Sequence, residues 1–403
     1  MKVLLVGSGG REHALAWKLT QAPRLDELHA APGNPGIAAL GRCHPVHPED
    51  GEGLLALAGS LEADLVVVGP EAPLVAGVAD ELRHAGVPVF GPSANAARIE
   101  GSKSFAKEVM RDAGVPTARA LSVARPPCVV KADGLAAGKG VFVCTDQAEL
   151  HVALRAVRSF GDSIVIEELL DGEEISVFAI SDGTDAVAMP AVQDFKRAED
   201  GDVGPNTGGM GSYSPLAGFG AGETEELLDA IHRPVIAELA ARGTPFVGVL
   251  FAGVMLTDEG PRVLEFNCRF GDPETQSLLP RLDGDLLGAL EAAASGHLTS
   301  SDLSVADNAA VTVVLTAGAY PGGGDVGSPI HGIEDAEELG ALVFHAGTAL
   351  KGDELVTNGG RILNVTGTGE SVSQARDRTY AACERISFDG VRYRKDIAAM
   401  AHV

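Results

Sequence analysis

The chain opens on four apolar residues, Val3-Leu4-Leu5-Val6, that stop at a cluster of glycines. A second unbroken run, Leu65-Val66-Val67-Val68, stops at Gly69-Pro70-Glu71, and a third occupies residues 87–90 before Gly91-Pro92. Strands that are apolar on both faces must be covered on both faces. Helical spacing over residues 12–20 and in the segment ending at His84 supplies that cover. The pattern predicts a parallel sheet wound with helices on both sides. Ligands of such sheets bind at the carboxyl ends of the strands, which here are the glycine-bearing turns.

Beyond residue 100 the texture changes. A helix is predicted over 102–111, broken by Val115-Pro116, and a strand through Val129-Val130 runs into Lys131 and a glycine-rich loop. A strand over 164–170 leads into the acidic turn Asp171-Gly172-Glu173-Glu174 and further strand. Residues 194–215 read as a long polar loop around Asn206-Thr207-Gly208-Gly209-Met210-Gly211, the kind of loop that is usually functional or mobile. A helix over 223–241 and strands over 246–256 and 262–267 follow. After about residue 305 the chain is β-rich with glycine turns, and one helix is predicted over 371–386.

Composition narrows the reading. A chain of 403 residues holds about two to four domains. With 45% apolar and 22% charged residues it folds rather than staying disordered. Its 31 basic against 56 acidic residues give a net charge of −25, which disfavours a nucleic-acid partner, and 4% aromatic residues are too few for a base-stacking platform. Cys43, Cys128, Cys144, Cys268 and Cys383 form no C-x-x-C pair, against a disulfide scaffold or structural zinc and in keeping with a reducing compartment. The first ten residues read as a strand rather than a signal peptide, and no stretch reaches the ~18 apolar residues of a membrane helix. The expectation is a soluble, cytoplasmic protein with no membrane partner.

Three constellations carry candidate chemistry. Gly7-Ser8-Gly9-Gly10 follows a strand and opens a helix, a place where backbone N–H groups can hold phosphate. The dinucleotide fingerprint fails, because Glu12 stands at its sixth position and would crowd the helix and repel a pyrophosphate. A smaller phosphorylated ligand and a bare tight turn remain as alternatives. The loop from Lys131 to Gly140 is one residue short of a Walker loop and lies between strands, so it reads as a flap over phosphates or a mobile hairpin tip. Lysines are sparse in this acidic chain, and Lys103, Lys131, Lys139 and Lys196 suggest a local anion site. Finally, Val263 to Phe270 alternates, placing Glu265, Asn267 and Arg269 on one face and Leu264, Phe266, Cys268 and Phe270 on the other. A carboxylate and an amide oxygen so spaced suit Mg²⁺, the alternative being a solvated edge strand.

Taken together, the motifs resemble the phosphoribosylamine–glycine ligase family of the ATP-grasp superfamily. The resemblance rests on Gly9-Gly10-Arg11-Glu12-His13-Ala14, Ala31-Pro32-Gly33-Asn34, Gly69-Pro70-Glu71-Ala72-Pro73-Leu74, Glu100-Gly101-Ser102-Lys103 and Lys131 to Gly140. It rests further on residues 204–211 and on Arg269-Phe270-Gly271-Asp272-Pro273-Glu274. Phe195, where some members carry His, and a short stretch between Thr117 and Cys128 depart from it. The resemblance implies an α/β fold: an N-terminal parallel-sheet (pre-ATP-grasp) domain over 1–100, and a split ATP-grasp region over 101–305 with a mobile lid at about 115–175. A β-rich C-terminal domain over 306–403 completes it. It also implies ligation of glycine to 5-phosphoribosylamine with ATP, by a monomer using Mg²⁺ or Mn²⁺. By motif position, Lys103, Lys131, Gly138 and Gly140 would hold ATP phosphates, Glu168 and Leu170 the adenine, and Glu174 the ribose. Glu265 and Asn267 would bind metal. Arg269, Lys139 and Asp272 would act at the transferring group. Gly9, Gly10, Glu71, Asp194, Asn206 and Thr207 would hold the other substrates, with His13 structural or at a phosphate rather than a base. Another ATP-grasp carboxylate ligase or carboxylase is the alternative within the superfamily. A nicotinamide oxidoreductase and a non-catalytic nucleotide sensor are alternatives outside it.

Overall fold

The structure is a computed structural model that describes residues 1–136, 140–161, 163–299 and 303–401. The N-terminal unit is a five-stranded parallel sheet of β1 (Lys2–Gly7), β2 (Glu27–Pro32), β3 (Arg42–Cys43), β4 (Leu65–Val68) and β5 (Val89–Phe90), in the order β3-β2-β1-β4-β5. The apolar runs fill its centre, with Val3 to Val6 and Leu65 to Val67 all at zero exposure. Each such side chain contributes about 1.5–3 kcal/mol by leaving water. Helix α1 (Gly10–Leu19) follows β1 directly. The helical segment ending at His84 is two helices, Glu71–Ala76 and Val78–His84, divided at Gly77 with φ of 94°.

The lid is a three-stranded antiparallel sheet, β7 (Val141–Cys144), β6 (Cys128–Ala132) and β8 (Ile164–Glu168), packed on the helix Gln147–Ala156. Its core of Cys128, Val130, Cys144, Leu150 and Ala153 is separate from those of the rest of the molecule.

The central sheet is antiparallel and eight-stranded. It runs β15 (Gly260–Asn267), β14 (Val247–Thr257), β9 (Glu173–Asp182), β10 (Ala186–Asp194) and β13 (Gly211–Ser214), and then continues into three C-terminal strands: Ala309–Thr316, Arg361–Gly369 and Leu342–His345. The β-rich end of the chain therefore shares a sheet with the middle. Residues 194–215 are not a structureless loop. They hold the hairpin β11 (Arg197–Glu199) and β12 (Val203–Asn206) as well as β13, which gains its partners from β10 and from Ala309–Thr316. The helix expected over 223–241 is interrupted by a π-helical turn at Leu228–His232, just before Pro234, which lacks the N–H needed to continue the ladder.

Candidate active site

A cleft of about 1270 Å³ runs between the lid, the central sheet and the N-terminal unit. Strand β15 supplies its floor. Glu265, Asn267 and Arg269 all face the cleft, while Phe266, Cys268 and Phe270 are at most 2% exposed. Leu264, expected on the apolar face, borders the cleft instead. The β14–β15 register slips there, pairing Gly253 with Glu265 but Val254 with Val263, so Leu264 is the unpaired residue of a bulge. Burial by itself would raise the Glu265 carboxyl, but Lys196, Lys131, Lys103 and Arg269 outweigh it and hold it below the usual carboxylate range. Among the described residues nothing donates a hydrogen bond to that carboxylate. No cluster of three or more His, Cys, Asp or Glu side chains among the described residues could hold a metal alone. The Asn267 Oδ1 accepts from Arg269 Nη2 at 3.3 Å and keeps its second lone pair. A charged carboxylate and an amide oxygen with a lone pair to spare fit a hard divalent cation that takes its remaining ligands from phosphate and water.

The lysines do converge here, but carboxylates meet them. Lys131 donates to the Leu264 carbonyl at 2.9 Å and pairs with Glu167 at 2.6 Å. Glu167, 2% exposed, also takes Lys107 at 2.6 Å and so ties the lid to the helix Lys103–Ala113. Lys196 pairs with Glu174 and stands 3.5 Å from Asp194. Burial opposes its charge, yet Asp194, Glu174 and Glu265 hold its pKa well above the ordinary lysine value. The Lys103 ammonium makes a long contact, 3.4 Å to the Gly134 carbonyl. At the base of the flap Asp133 accepts from the Ser104 hydroxyl at 2.6 Å and the Ser102 hydroxyl at 3.1 Å. Gly140 is closely packed, since a Cβ there would stand 2.6 Å from that of Ala136. Gly138 and Lys139 lie outside the described residues. Glu168 accepts the Arg119 N–H at 2.8 Å, and Leu170 lines the cleft beside it.

On the N-terminal side the turn Gly7–Gly10 departs from expectation. Glu12 does not crowd the helix away from the sheet. Its carboxylate folds back over the turn, accepts the Gly9 N–H at 2.6 Å and pairs with Arg11 at 2.5 Å. A Cβ on Gly7 or Gly69 would fall within 2.6 Å of the Glu12 side chain, so these glycines make room for it. The anion at this helix end is the protein's own, and the Gly9 N–H expected to hold phosphate is already spent. Gly10 is glycine for another reason, because a Cβ would sit 2.2 Å from Asn364 Nδ2. Glu71 accepts from Arg269 Nε at 3.2 Å and lies 4.0 Å from Arg11. Burial would raise its carboxyl, but Arg269 and Arg11 pull it down to about 2. Arg269 also donates to Glu100 at 3.3 Å, and Glu100 in turn accepts the Cys268 N–H at 2.8 Å. His13 is not a cleft residue. Its Nδ1 accepts the His345 N–H at 2.8 Å, and burial, with His345 nearby, pushes its pKa down to about 3.

The far wall is built from Asp194, Asn206, Thr207 and Asp272. Thr207 is committed to the backbone, donating its hydroxyl to the Lys196 carbonyl at 2.9 Å. Asp272 accepts from Gln276 at 2.8 Å. Phe195 packs under Arg394, 5.1 Å from ring to guanidinium, which accounts for an aromatic residue at that position. Sequence reasoning missed Glu100, Lys107, Glu167 and Arg361 as partners. Glu100 lay inside a quoted motif, and the others have no local signal.

Comparison with known proteins accounts for this architecture. Residues 1–100 match the phosphoribosylglycinamide synthetase N domain, 101–275 its ATP-grasp (A) domain and 310–400 its C domain. The chain belongs to the phosphoribosylglycinamide synthetase family. It is 52% identical over 417 residues to the phosphoribosylamine–glycine ligase of Streptomyces coelicolor, covering 100% of this chain and 99% of that one. To the enzyme of the same name from Rhizobium meliloti it is 48% identical, covering 98% of each. The crystal structure of the Thermotoga maritima phosphoribosylamine–glycine ligase superposes with a TM-score of 0.85 at 34% identity, over 99% of this chain and 100% of that one. The biotin carboxylase domain of the Hydrogenobacter thermophilus 2-oxoglutarate carboxylase, at 17% identity and a TM-score of 0.71, shares the fold alone. No helix among the described residues is long and apolar enough to cross a membrane.

Proposed function

We propose that this chain joins glycine to 5-phosphoribosylamine at the expense of ATP, giving glycinamide ribonucleotide, ADP and phosphate in purine synthesis. The observation that carries the reading is the convergence of Glu265, Asn267 and Arg269 with Lys103 and Lys131 on one cleft, in a chain of this family. A carboxylate is a poor acyl donor because its oxygen will not leave. Moving the γ-phosphoryl group of ATP onto glycine makes glycyl phosphate, whose leaving group is phosphate, and the amine of phosphoribosylamine then attacks the carbonyl carbon. Transfer of this kind is positioning and charge neutralisation.

Each residue then has a task. Lys103 and Lys131 neutralise the phosphates, which requires Lys131 to share its charge between Glu167 and the nucleotide. Glu265 and Asn267 would hold Mg²⁺ or Mn²⁺, which when bound neutralises phosphate charge. Arg269, fixed by Glu71 and Glu100, steadies the transferring group. The flap from 133 to 140 excludes water that would hydrolyse the acyl phosphate. Glu168 and Leu170 border the adenine. Asp194, Asn206 and Asp272 form the wall facing the amine substrates.

The test is turnover with each substrate omitted in turn. ADP and phosphate should form in equal amounts only when ATP, a divalent cation, glycine and phosphoribosylamine are all present. Equal turnover with bicarbonate in place of glycine would favour a carboxylase instead.

A further inference from the structure

The C-terminal stretch carries none of the motifs that point to the cleft, yet several of its residues line it, Arg361 and Arg394 among them. Arg361 opens the strand Arg361–Gly369, and its Nη1 donates to the carbonyl oxygens of Gly208 and Asp272, both at 2.7 Å. Its Nη2 stands 3.4 Å from the Asp272 carboxylate. Gly208 belongs to the glycine loop after β12, and Asp272 to the acidic corner after β15. A second C-terminal residue, Tyr320, accepts the Gly208 N–H on its hydroxyl at 3.0 Å.

The packing around this contact is close. A Cβ on Gly208 would lie 3.2 Å from the guanidinium carbon of Arg361. Gly209, at φ of 112°, would bring a Cβ to 2.3 Å from the Pro273 ring. Asp272 is held on its other oxygen by Gln276, and its Oδ2 lies 3.5 Å from where a side chain on Gly9 would begin. One planar group thus joins the glycine loop to the acidic corner, on the side of the cleft where Asp272 approaches the first glycine turn. Among the described residues its contacts run to this wall, none of them to Lys103, Lys131 or Glu265.

We infer that Arg361 is a positioning residue that fixes Gly208 and Asp272, so that the C-terminal stretch shapes the half of the cleft that receives glycine and phosphoribosylamine. The inference rests on the reaction proposed above. A lysine would keep the charge but lose the planar group whose Nη1 meets both carbonyls while Nη2 faces the Asp272 carboxylate.

Arg361→Lys and Tyr320→Phe in the full chain test it, with calorimetric binding of glycinamide ribonucleotide and of a non-hydrolysable ATP analogue with Mg²⁺. For Arg361→Lys the affinity for glycinamide ribonucleotide should fall by about tenfold or more, while the ATP analogue stays within about twofold. Tyr320→Phe should show a smaller loss with the same selectivity, and remains informative should Arg361→Lys fail to fold. Equal loss of both ligands, or no loss of either, would overturn the inference. A native chain that binds no glycinamide ribonucleotide would instead overturn the reaction itself.

Discussion

Replacing Glu71 by Gln removes one negative charge while keeping size and hydrogen-bonding reach. Glu71 stands 3.2 Å from Arg269 and 4.0 Å from Arg11, and its carboxyl is drawn from the ordinary 4.5 down to about 2. A depression of that size corresponds to about 3 kcal/mol of stability at neutral pH. The side chain is 28% exposed, and the amide oxygen of Gln can still accept from Arg269. A loss of about 2 kcal/mol at pH 7 is therefore expected. The sign follows from the depressed value. The contribution is complete above about pH 4.5 and fades as pH falls toward 2, so the cost of Glu71→Gln should shrink to roughly half by pH 3. Trp17 is the chain's one tryptophan and lies on α1, the helix that carries Arg11, so its fluorescence in urea follows this unit. A cost below about 0.5 kcal/mol, the scale of ordinary surface substitutions, or a cost unchanged between pH 7 and about pH 3, would refute the reasoning.

Glu265→Gln should lower turnover by roughly a hundredfold or more, about 2.7 kcal/mol of transition-state stabilisation, with folding intact and partial recovery at raised Mg²⁺; steady-state rates across a Mg²⁺ titration measure both. Glu167→Gln leaves the half-buried Lys107 and the buried Lys131 without their shared counter-charge, and chemical denaturation should show a loss of about 3 kcal/mol. His13, His232 and His345 are pushed by burial to about 3, 4 and 4. Folding keeps them neutral, so stability should fall as pH drops below about 6.5, and their NMR resonances should not titrate between pH 6 and 8.

The parts of the molecule visible in the sequence are those set by local pattern. Val3 to Val6 and Leu65 to Val68 announce a doubly covered sheet because every side chain in them is apolar. Alternation along β15 and the residues just after it places Glu265, Asn267 and Arg269 on the cleft, and the bulge at Leu264 escapes it, since a bulge depends on the partner strand. What stayed hidden is what distant chain segments decide. Glu12 looks like an obstacle to a phosphate turn until Gly7 and Gly69 are seen to leave space for it. Gly10 looks like part of that turn, yet it is glycine because Asn364 approaches it. Lys131 and Lys196 look like free cations, and nothing near them in sequence reveals Glu167 or the pairing across from Glu174. The short strands β11 and β12 are too rich in glycine, proline and charge to show alternation, and the continuation of the central sheet into Ala309–Thr316 is a pairing between residues far apart in the chain.

The central claim is that the cleft activates a carboxylate by phosphorylating it. Glycine labelled with oxygen-18 in its carboxylate, turned over with ATP, a divalent cation and phosphoribosylamine, tests it directly by mass analysis of the released phosphate. The account predicts one labelled oxygen in each phosphate and none in any adenine nucleotide. Unlabelled phosphate, or label in AMP, would contradict it.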